Sequence, residues 1–287
     1  MKDNFCYFNG AIIKFDKIKI SPFDLGFVRG YGIFDAMRTS NGIPFCLEEH
    51  WDKFQKSAHF LDLKIPLDKE EFEKIIQFLL KKNNFKEMAI KTILTGGESK
   101  NGFIRGGAET FLILADNLDN YILDEKIYQK GVKVIKKEYE RPCPEIKNLN
   151  YLFPLNIQKE KNQSGAMEIV YVNQGKILEC STSNIFMVKN KTIVAPKKGV
   201  FSGTLRNLVI RLAKENNLSV EERDIKKDEF KKADEIFLTA TYKKIVPVVK
   251  VDEEKVADGR VGEITKKLMF LLDDFISNYG KKYGKSL

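Results

Sequence analysis

Four short segments in the second half of the chain carry side chains with chemistry to offer. Lys147 sits in Ile146-Lys147-Asn148-Leu149-Asn150, just after Pro142 and Pro144. A lysine that leaves a proline-stiffened loop for an apolar segment can be desolvated and react as a free amine. In a chain with 49 lysine and arginine residues it can equally be a surface charge. Glu179 leads Leu178-Glu179-Cys180-Ser181-Thr182-Ser183-Asn184, a carboxylate followed by small polar or sulfur residues. Such a loop can turn N–H and hydroxyl groups toward an anion, or it can be a plain turn between strands. Ser202-Gly203-Thr204-Leu205-Arg206 opens an amphipathic segment. A glycine before a helix start admits a ligand to the backbone, and the helix dipole favours phosphate there; the plain alternative is a helix cap. Thr239-Ala240-Thr241 ends an apolar strand and offers hydroxyls, or simply β-forming side chains.

The elements that must position these groups follow from periodicity and turn residues. Asn9-Gly10 and Asn41-Gly42 mark turns, the second inside a hairpin over 33–47. Helical spacing of Trp51, Phe54, Ala58 and Leu61, then of Phe72, Ile75, Ile76 and Leu79, predicts helices over about 48–61 and 68–82. Apolar strands are expected over 88–95 and 110–115, with a glycine-rich loop, Gly96 to Gly102, between them. Beyond it the texture changes to strands at 131–136, 167–172, 185–188, 235–238 and 245–251. Helices are expected over 151–162, 204–216 and 262–277, with a frayed tail over 280–285. The reading is an α+β chain in two lobes: a small N-terminal α/β domain over 1–117, a linker over 118–124, and a larger mixed, β-barrel-like domain over 125–287.

Composition excludes several alternatives. The formal charge is +9, yet the basic residues are spread along the chain with acids beside them. Aromatic and basic residues do not interleave as on a single-strand platform, so no nucleic-acid partner is expected. Runs such as Phe111 to Ala115 are far shorter than the roughly 18 apolar residues of a membrane helix. The opening residues do not build a signal-peptide core before Asn9-Gly10, so a cytoplasmic location is expected. Four cysteines are widely spaced and only His50 and His59 are present, which predicts neither a metal centre nor a serine–histidine triad.

Taken in order, a lysine, a glutamate segment, a glycine-led helix start and a hydroxyl-bearing strand end resemble the class IV aminotransferases. These are fold type IV pyridoxal-phosphate enzymes with the D-amino-acid transaminase fold. The resemblance runs from Tyr7-Phe8-Asn9-Gly10 to Gly259-Arg260-Val261-Gly262-Glu263-Ile264-Thr265. It implies pyridoxal 5'-phosphate as cofactor, held by Lys147 as a Schiff base, with Lys147 also moving the proton. It implies that Glu179 faces the pyridine nitrogen and keeps it protonated, so that the ring acts as an electron sink. Thr204 and Leu205 match the pair whose backbone N–H groups hold the phosphate, and Thr241 matches a phosphate-binding hydroxyl. Tyr151 lies one residue out of register with a tyrosine that faces the cofactor in branched-chain enzymes. The family is typically a homodimer, and the loop Gly96 to Gly102 is the candidate for closing a partner's pocket.

The sequence departs from the family pattern in three places. The phosphate arginine of a His-x-x-Arg-Leu helix motif is Lys53 here, in His50-Trp51-Asp52-Lys53-Phe54. Leu205 stands where threonine is common. The loop Gly96 to Phe103 lacks the Arg-x-His carboxylate trap of many D-amino-acid transaminases. The segment Arg29 to Arg38 resembles the strand that lines the family's substrate pocket, which makes Tyr31 and Phe34 pocket candidates. Arg29 and Lys243 are spare cations expected to take substrate carboxylates. The resemblance thus implies ping-pong transamination between an amino acid and 2-oxoglutarate or pyruvate. The lysine segment Arg-Pro-Cys-Pro-Glu-Ile-Lys-Asn-Leu-Asn looks closer to D-amino-acid transaminases. Branched-chain L-amino-acid aminotransferase is the alternative, with aminodeoxychorismate lyase and a basic nucleic-acid-binding protein behind it.

Overall fold

In the computed structural model, which describes residues 3–283, both Asn-Gly turns join paired strands. Strands β1 (Phe5–Phe8) and β2 (Ala11–Lys14) flank the first. A short helix α1 (Leu25–Arg29) precedes β3 (Gly32–Ser40), which the second turn links to β4 (Ile43–Pro44). Helices α2 (Leu47–Phe60) and α3 (Lys69–Lys82) follow, then β5 (Met88–Thr95) and β6 (Thr110–Asn117). The six strands form an antiparallel sheet in the order β2-β1-β6-β5-β3-β4. Strand β5 has a neighbour on each edge, and its Met88, Ala89, Ile90 and Leu94 are buried.

The expected helical spacing is real. Asp68 and Glu71 each accept the other's backbone N–H, a capping box that starts α3. Four residues apart, Phe72 and Ile76 are buried, and Leu79 completes the stripe. They pack with Trp51, Phe54 and Ala58 of α2 against Ile33, Ile90 and Phe111 of the sheet. Burial of each such side chain contributes roughly 1.5–3 kcal/mol.

The chain divides into two compact units, and the division is not linear. The first unit takes the residues up to Ile122, then Ile146–Asn150, and again the chain from Ile276 onward. The segment bearing Lys147 thus belongs with the N-terminal strands. Phe34 N–H donates to Lys147 O (2.9 Å) and Leu149 N–H to Gly32 O (3.1 Å), so 146–150 runs as a short strand along β3. Gly32 is required at this contact: a Cβ there would lie 2.7 Å from Leu94 O and 2.8 Å from a Leu149 methyl.

The second unit, Leu123–Glu145 and Tyr151–Phe275, is built on a mixed ten-stranded sheet. Its first elements are α4 (Glu125–Lys130), β7 (Val132–Glu138), α5 (Leu152–Asn156), α6 (Gln158–Gln163), β8 (Glu168–Asn173) and β9 (Lys176–Cys180). After them come β10 (Asn184–Lys189), β11 (Thr192–Ala195), α7 (Thr204–Glu215), β12 (Ser219–Glu222), β13 (Ile225–Lys226) and α8 (Lys227–Phe230). The chain then makes β14 (Glu235–Ala240), β15 (Lys244–Val251), β16 (Glu254–Lys255) and α9 (Glu263–Tyr283). Strand order is β12-β11-β10-β14-β15-β7-β8-β9-β13, with β16 on β15. The pairs β15–β7, β7–β8 and β11–β12 are parallel.

Several sequence expectations change here. The helix expected over 151–162 is two short helices that meet at Ile157. Leu178-Glu179-Cys180 ends strand β9 rather than opening a loop. Helix α9 continues to Tyr283, so residues 280–283 are not frayed; 284–285 lie outside the described residues. Its last turns are fixed within the first unit, where Ser40 Oγ donates to Ile276 O and Cys46 N–H to Tyr279 Oη.

Candidate active site

In the first unit, four charged or titratable groups gather around one strand. Lys147 is placed by its neighbours: Ile146 is buried in the core, and the backbone is bonded to β3 on either side. Its side chain is 23% exposed and its Nζ lies 3.3 Å from Asp35 Oδ1. The other Asp35 oxygen is 2.5 Å from His50 Nδ1. Burial alone would push the Asp35 carboxyl up, but His50 and Lys147 outweigh it and hold the group far below its usual range. Lys53 follows His50 by one helical turn. Burial drives its ammonium down to about 8, with Asp35 opposing the shift and Lys147 adding to it. Phe34 borders the same amine: Lys147 Nζ is 5.7 Å from its ring centroid.

The other first-unit candidates are not brought to this cluster by any bond of their own. Tyr31 Oη donates to the carbonyl of Leu61. Arg29 is exposed; its guanidinium lies over the ring of Phe103 (4.7 Å) and bonds Val28 O. The glycine-rich loop is more ordered than its composition suggests, since Ser99 is buried, donates to Ile104 O and accepts from Gly102 N–H.

In the second unit, Glu179 is gripped at both oxygens. Arg141 Nε donates to Oε1 and Phe201 N–H to Oε2, each at 2.9 Å. Both side chains of the pair are buried. Arg141 is held in turn by donating Nη2 to Pro144 O, so the proline loop ahead of Lys147 orients the carboxylate. Tyr151 is near these charges; burial pushes its hydroxyl up to about 12, against the pull of Arg141.

Helix α7 begins at Thr204, with Gly203 as a cap that has no side chain to offer and no acid in the first turn. A Cβ on Gly203 would lie 2.3 Å from Asn184 Oδ1, and Asn184 is itself fixed by donating to Phe201 O. Thr204 and Leu205 are buried. Thr239, opposite Asn184 in the sheet, has a buried hydroxyl with no hydrogen-bond partner. Thr241 lies in the turn that follows β14. A helix start without a side-chain cap or acid, a cradle that excludes a Cβ and an orphaned hydroxyl suit a phosphate. A carboxylate fixed by two donors suits a protonated ring nitrogen. The residues therefore fit pyridoxal phosphate.

Two expectations need correction. Lys243 is not a spare cation: its Nζ bonds both Glu168 Oε1 and Thr182 Oγ1 at 2.7 Å. Nor do the hydroxyls of 181–183 await an external anion. Ser181, Thr182 and Ser183 all donate to Glu168, a fully buried carboxylate that Lys243 and these donors hold below its usual range despite desolvation. Sequence reasoning missed Asp35, Arg141 and Glu168. The first had a signal: an acid between the apolar pairs Ile33-Phe34 and Ala36-Met37. Among the described residues, no cluster of His, Cys, Asp or Glu could hold a metal ion, and no helix is long and apolar enough to cross a membrane.

The comparisons with known proteins agree with this geometry. The family model described as Amino-transferase class IV matches residues 32–251. A Methanocaldococcus jannaschii protein provisionally named a branched-chain-amino-acid aminotransferase is 32% identical, over 96% of this chain and 98% of that protein. The D-alanine aminotransferase of Bacillus licheniformis is 28% identical over 94% and 96%. The solved T.th. branched-chain amino acid aminotransferase with pyridoxamine 5'-phosphate superposes with a TM-score of 0.89 at 25% identity, covering 99% and 97% of the two chains. The chain belongs to the class IV aminotransferases and is a pyridoxal-phosphate-dependent transaminase.

Proposed function

We propose that this transaminase acts on D-amino acids and passes the amino group to a 2-oxo acid by a ping-pong route, with Lys147 as the catalytic lysine. The observation that carries the role of Lys147 is its amine beside the buried Asp35 carboxylate, on a segment bonded along β3. Pyridoxal phosphate, when bound, supplies a carbonyl that exchanges amines and an electron sink that acidifies the substrate Cα–H bond. Lys147 Nζ would hold it covalently and, once displaced by the incoming amine, would take the proton from Cα and return it at the cofactor's carbonyl carbon. Asp35 orients that amine. Glu179, fixed by Arg141 and Phe201 N–H, would keep the ring nitrogen protonated. The N–H groups of Thr204 and Leu205, the Thr241 hydroxyl and the Lys53 ammonium would take the phosphate. Tyr151 would border the cofactor, and Tyr31, Phe34 and Arg29 the substrate. Lys243 would act through Glu168 and Thr182 in shaping the 181–183 turn.

The D-specific reading is supported by the lysine segment and by relatives named D-alanine aminotransferases in Bacillus licheniformis and Listeria monocytogenes. A branched-chain L-specific reading is favoured by one specific finding, the 32% identical M. jannaschii relative. Adding D-alanine, D-glutamate and L-leucine separately to the purified enzyme distinguishes them. Bleaching of the visible cofactor band by a D-donor is expected. Bleaching by L-leucine alone would transfer the assignment to the branched-chain reading.

Lys53 makes a second outcome measurable. A lysine lacks the two-pronged donor geometry of arginine. With its ammonium driven down to about 8, it is cationic below that pH and loses its charge above it, whereas arginine stays charged. Lys53→Arg is expected to tighten cofactor binding roughly tenfold near neutrality, about 1.4 kcal/mol, and by more as pH rises past 8. Equilibrium dialysis across that range checks it; an unchanged Kd at both ends removes Lys53 from the phosphate site.

A further inference from the structure

Glu168 opens strand β8 and is buried, yet four side chains donate to its two oxygens. Ser181 donates to Oε2, whereas Thr182, Ser183 and Lys243 donate to Oε1. A carboxylate offers about four acceptor sites, so the group is saturated from within the protein. Lys243 also donates to Thr182 Oγ1 at 2.7 Å, which closes a ring of three side chains. The backbone of the same turn is fixed as well: Cys180 N–H donates to Ser183 O (2.8 Å) and Ser181 N–H to Ile169 O (3.0 Å). A candidate cofactor group stands at each end of this turn. Two residues before Ser181, Glu179 accepts Phe201 N–H. One residue after Ser183, Asn184 donates to Phe201 O, and its Oδ1 lies against Gly203 at the start of α7. Lys243 follows Thr241 by two residues in the turn from β14 to β15, and its carbonyl accepts from Tyr128 Oη (3.1 Å). One buried carboxylate thus ties the 181–183 turn to the 241–243 turn.

We propose that Glu168, paired with Lys243, is a positioning residue that holds Glu179, the start of α7 and the Thr241 turn in one rigid frame for the cofactor. Burying a carboxylate is a weak route to stability even when it is paired; fixed geometry is what this arrangement provides. Donors and acceptors held in place before a ligand arrives need not be ordered when it binds, and that saving appears as affinity. Neither Glu168 nor Lys243 need touch the ligand for this. Lys243 neutralises the carboxylate and reaches both partners of the ring, while the three hydroxyls transmit the position of Glu168 to the turn. The inference deepens the transaminase reading and rests on it for the identity of the ligand.

The test uses the full-length chain stripped of cofactor and reads binding rather than turnover. Equilibrium dialysis gives the Kd for pyridoxal 5'-phosphate and, separately, for pyridoxal, which lacks the phosphate. Lys243→Met removes the ion pair and should raise the pyridoxal phosphate Kd by about tenfold, the size of one lost hydrogen bond to a charged group. Lys243→Arg keeps the charge and should recover most of that loss. Thr182→Val deletes one donor from an exposed side chain and should raise the Kd by roughly threefold. Combined with Lys243→Met it should add little, because both changes free the same turn. Pyridoxal reports the Glu179 side alone, and its Kd should rise in the same variants; a loss confined to pyridoxal phosphate overturns the shared role. A merely structural hub would lower the urea midpoint and leave the Kd of the folded variants within about twofold of wild type, and that result overturns the proposal. Should Lys243→Met fail to fold, Thr182→Val decides alone, since it leaves the Glu168–Lys243 pair intact. A wild type that binds no pyridoxal phosphate would sink the cofactor site and this proposal with it, an outcome distinct from equal binding by wild type and variants.

Discussion

Lys147→Ala is expected to abolish covalent retention of the cofactor and to slow transamination on the order of 10²–10⁴-fold, the span general acid–base catalysis commonly supplies. The protein should stay folded. The Lys147 side chain is partly exposed, and its loss leaves Asp35 still paired with His50. The backbone bonds that hold 146–150 to β3 involve no side chain of Lys147. Lys53 is a poor substitute, because it issues from helix α2 rather than from the β3-bonded segment. Borohydride treatment followed by mass spectrometry gives the direct readout: wild type gains the cofactor mass on the peptide containing Lys147, and the variant does not. Added methylamine should restore part of the lost rate, since it supplies a free base where the lysine is missing. A cofactor adduct that persists on another lysine in Lys147→Ala would move the catalytic assignment away from this residue.

How much of this was legible in the sequence depended on whether the signal was local. The capping box at Asp68 and Glu71 and the apolar stripe of α3 are local, and both appear as expected. The glycine-led start of α7 is local too. By contrast, Lys147 belongs to the first unit although it follows the first strand of the second. That placement depends on Gly32, more than a hundred residues earlier, whose missing side chain lets Leu149 approach. No window of sequence contains both ends of such a contact. The same limit applies to Lys243. Its charge looked spare because its partner, Glu168, sits 75 residues away in an apolar strand. The run of hydroxyls at 181–183 carried the right chemistry, an anion site, but the anion is the protein's own carboxylate. Residue type was readable there and partner identity was not. Glu179 lies between these extremes: the family pattern pointed to it, whereas Arg141, the group that fixes it, stood in plain view in the proline loop as one basic residue among many.

Glu179 and Arg141 supply the second large effect. Both are buried and joined at 2.9 Å. A buried pair is a weak source of net stability, yet removing one member is severe because the other is left charged without a partner. Glu179→Leu and Arg141→Met are each expected to destabilise the second unit by about 3–5 kcal/mol. The double variant Arg141→Met with Glu179→Leu should cost markedly less than the sum, because neither orphaned charge remains. Urea unfolding of the single and double variants checks this, and additive losses would show that the two side chains are not energetically coupled. Activity separates the structural part from the chemical one. Glu179→Gln keeps the shape but has one oxygen where two donors converge, Arg141 Nε and Phe201 N–H; its amide N–H must confront one of them. Folding should survive with a modest loss, while turnover falls by roughly 10²-fold or more, because a neutral amide no longer favours a protonated ring nitrogen. In the proposed role the carboxylate's charge, and not its place in the fold, carries the rate. A Glu179→Gln enzyme with near-normal turnover would leave Glu179 as an anchor for Arg141 and Phe201 and take the ring nitrogen from it.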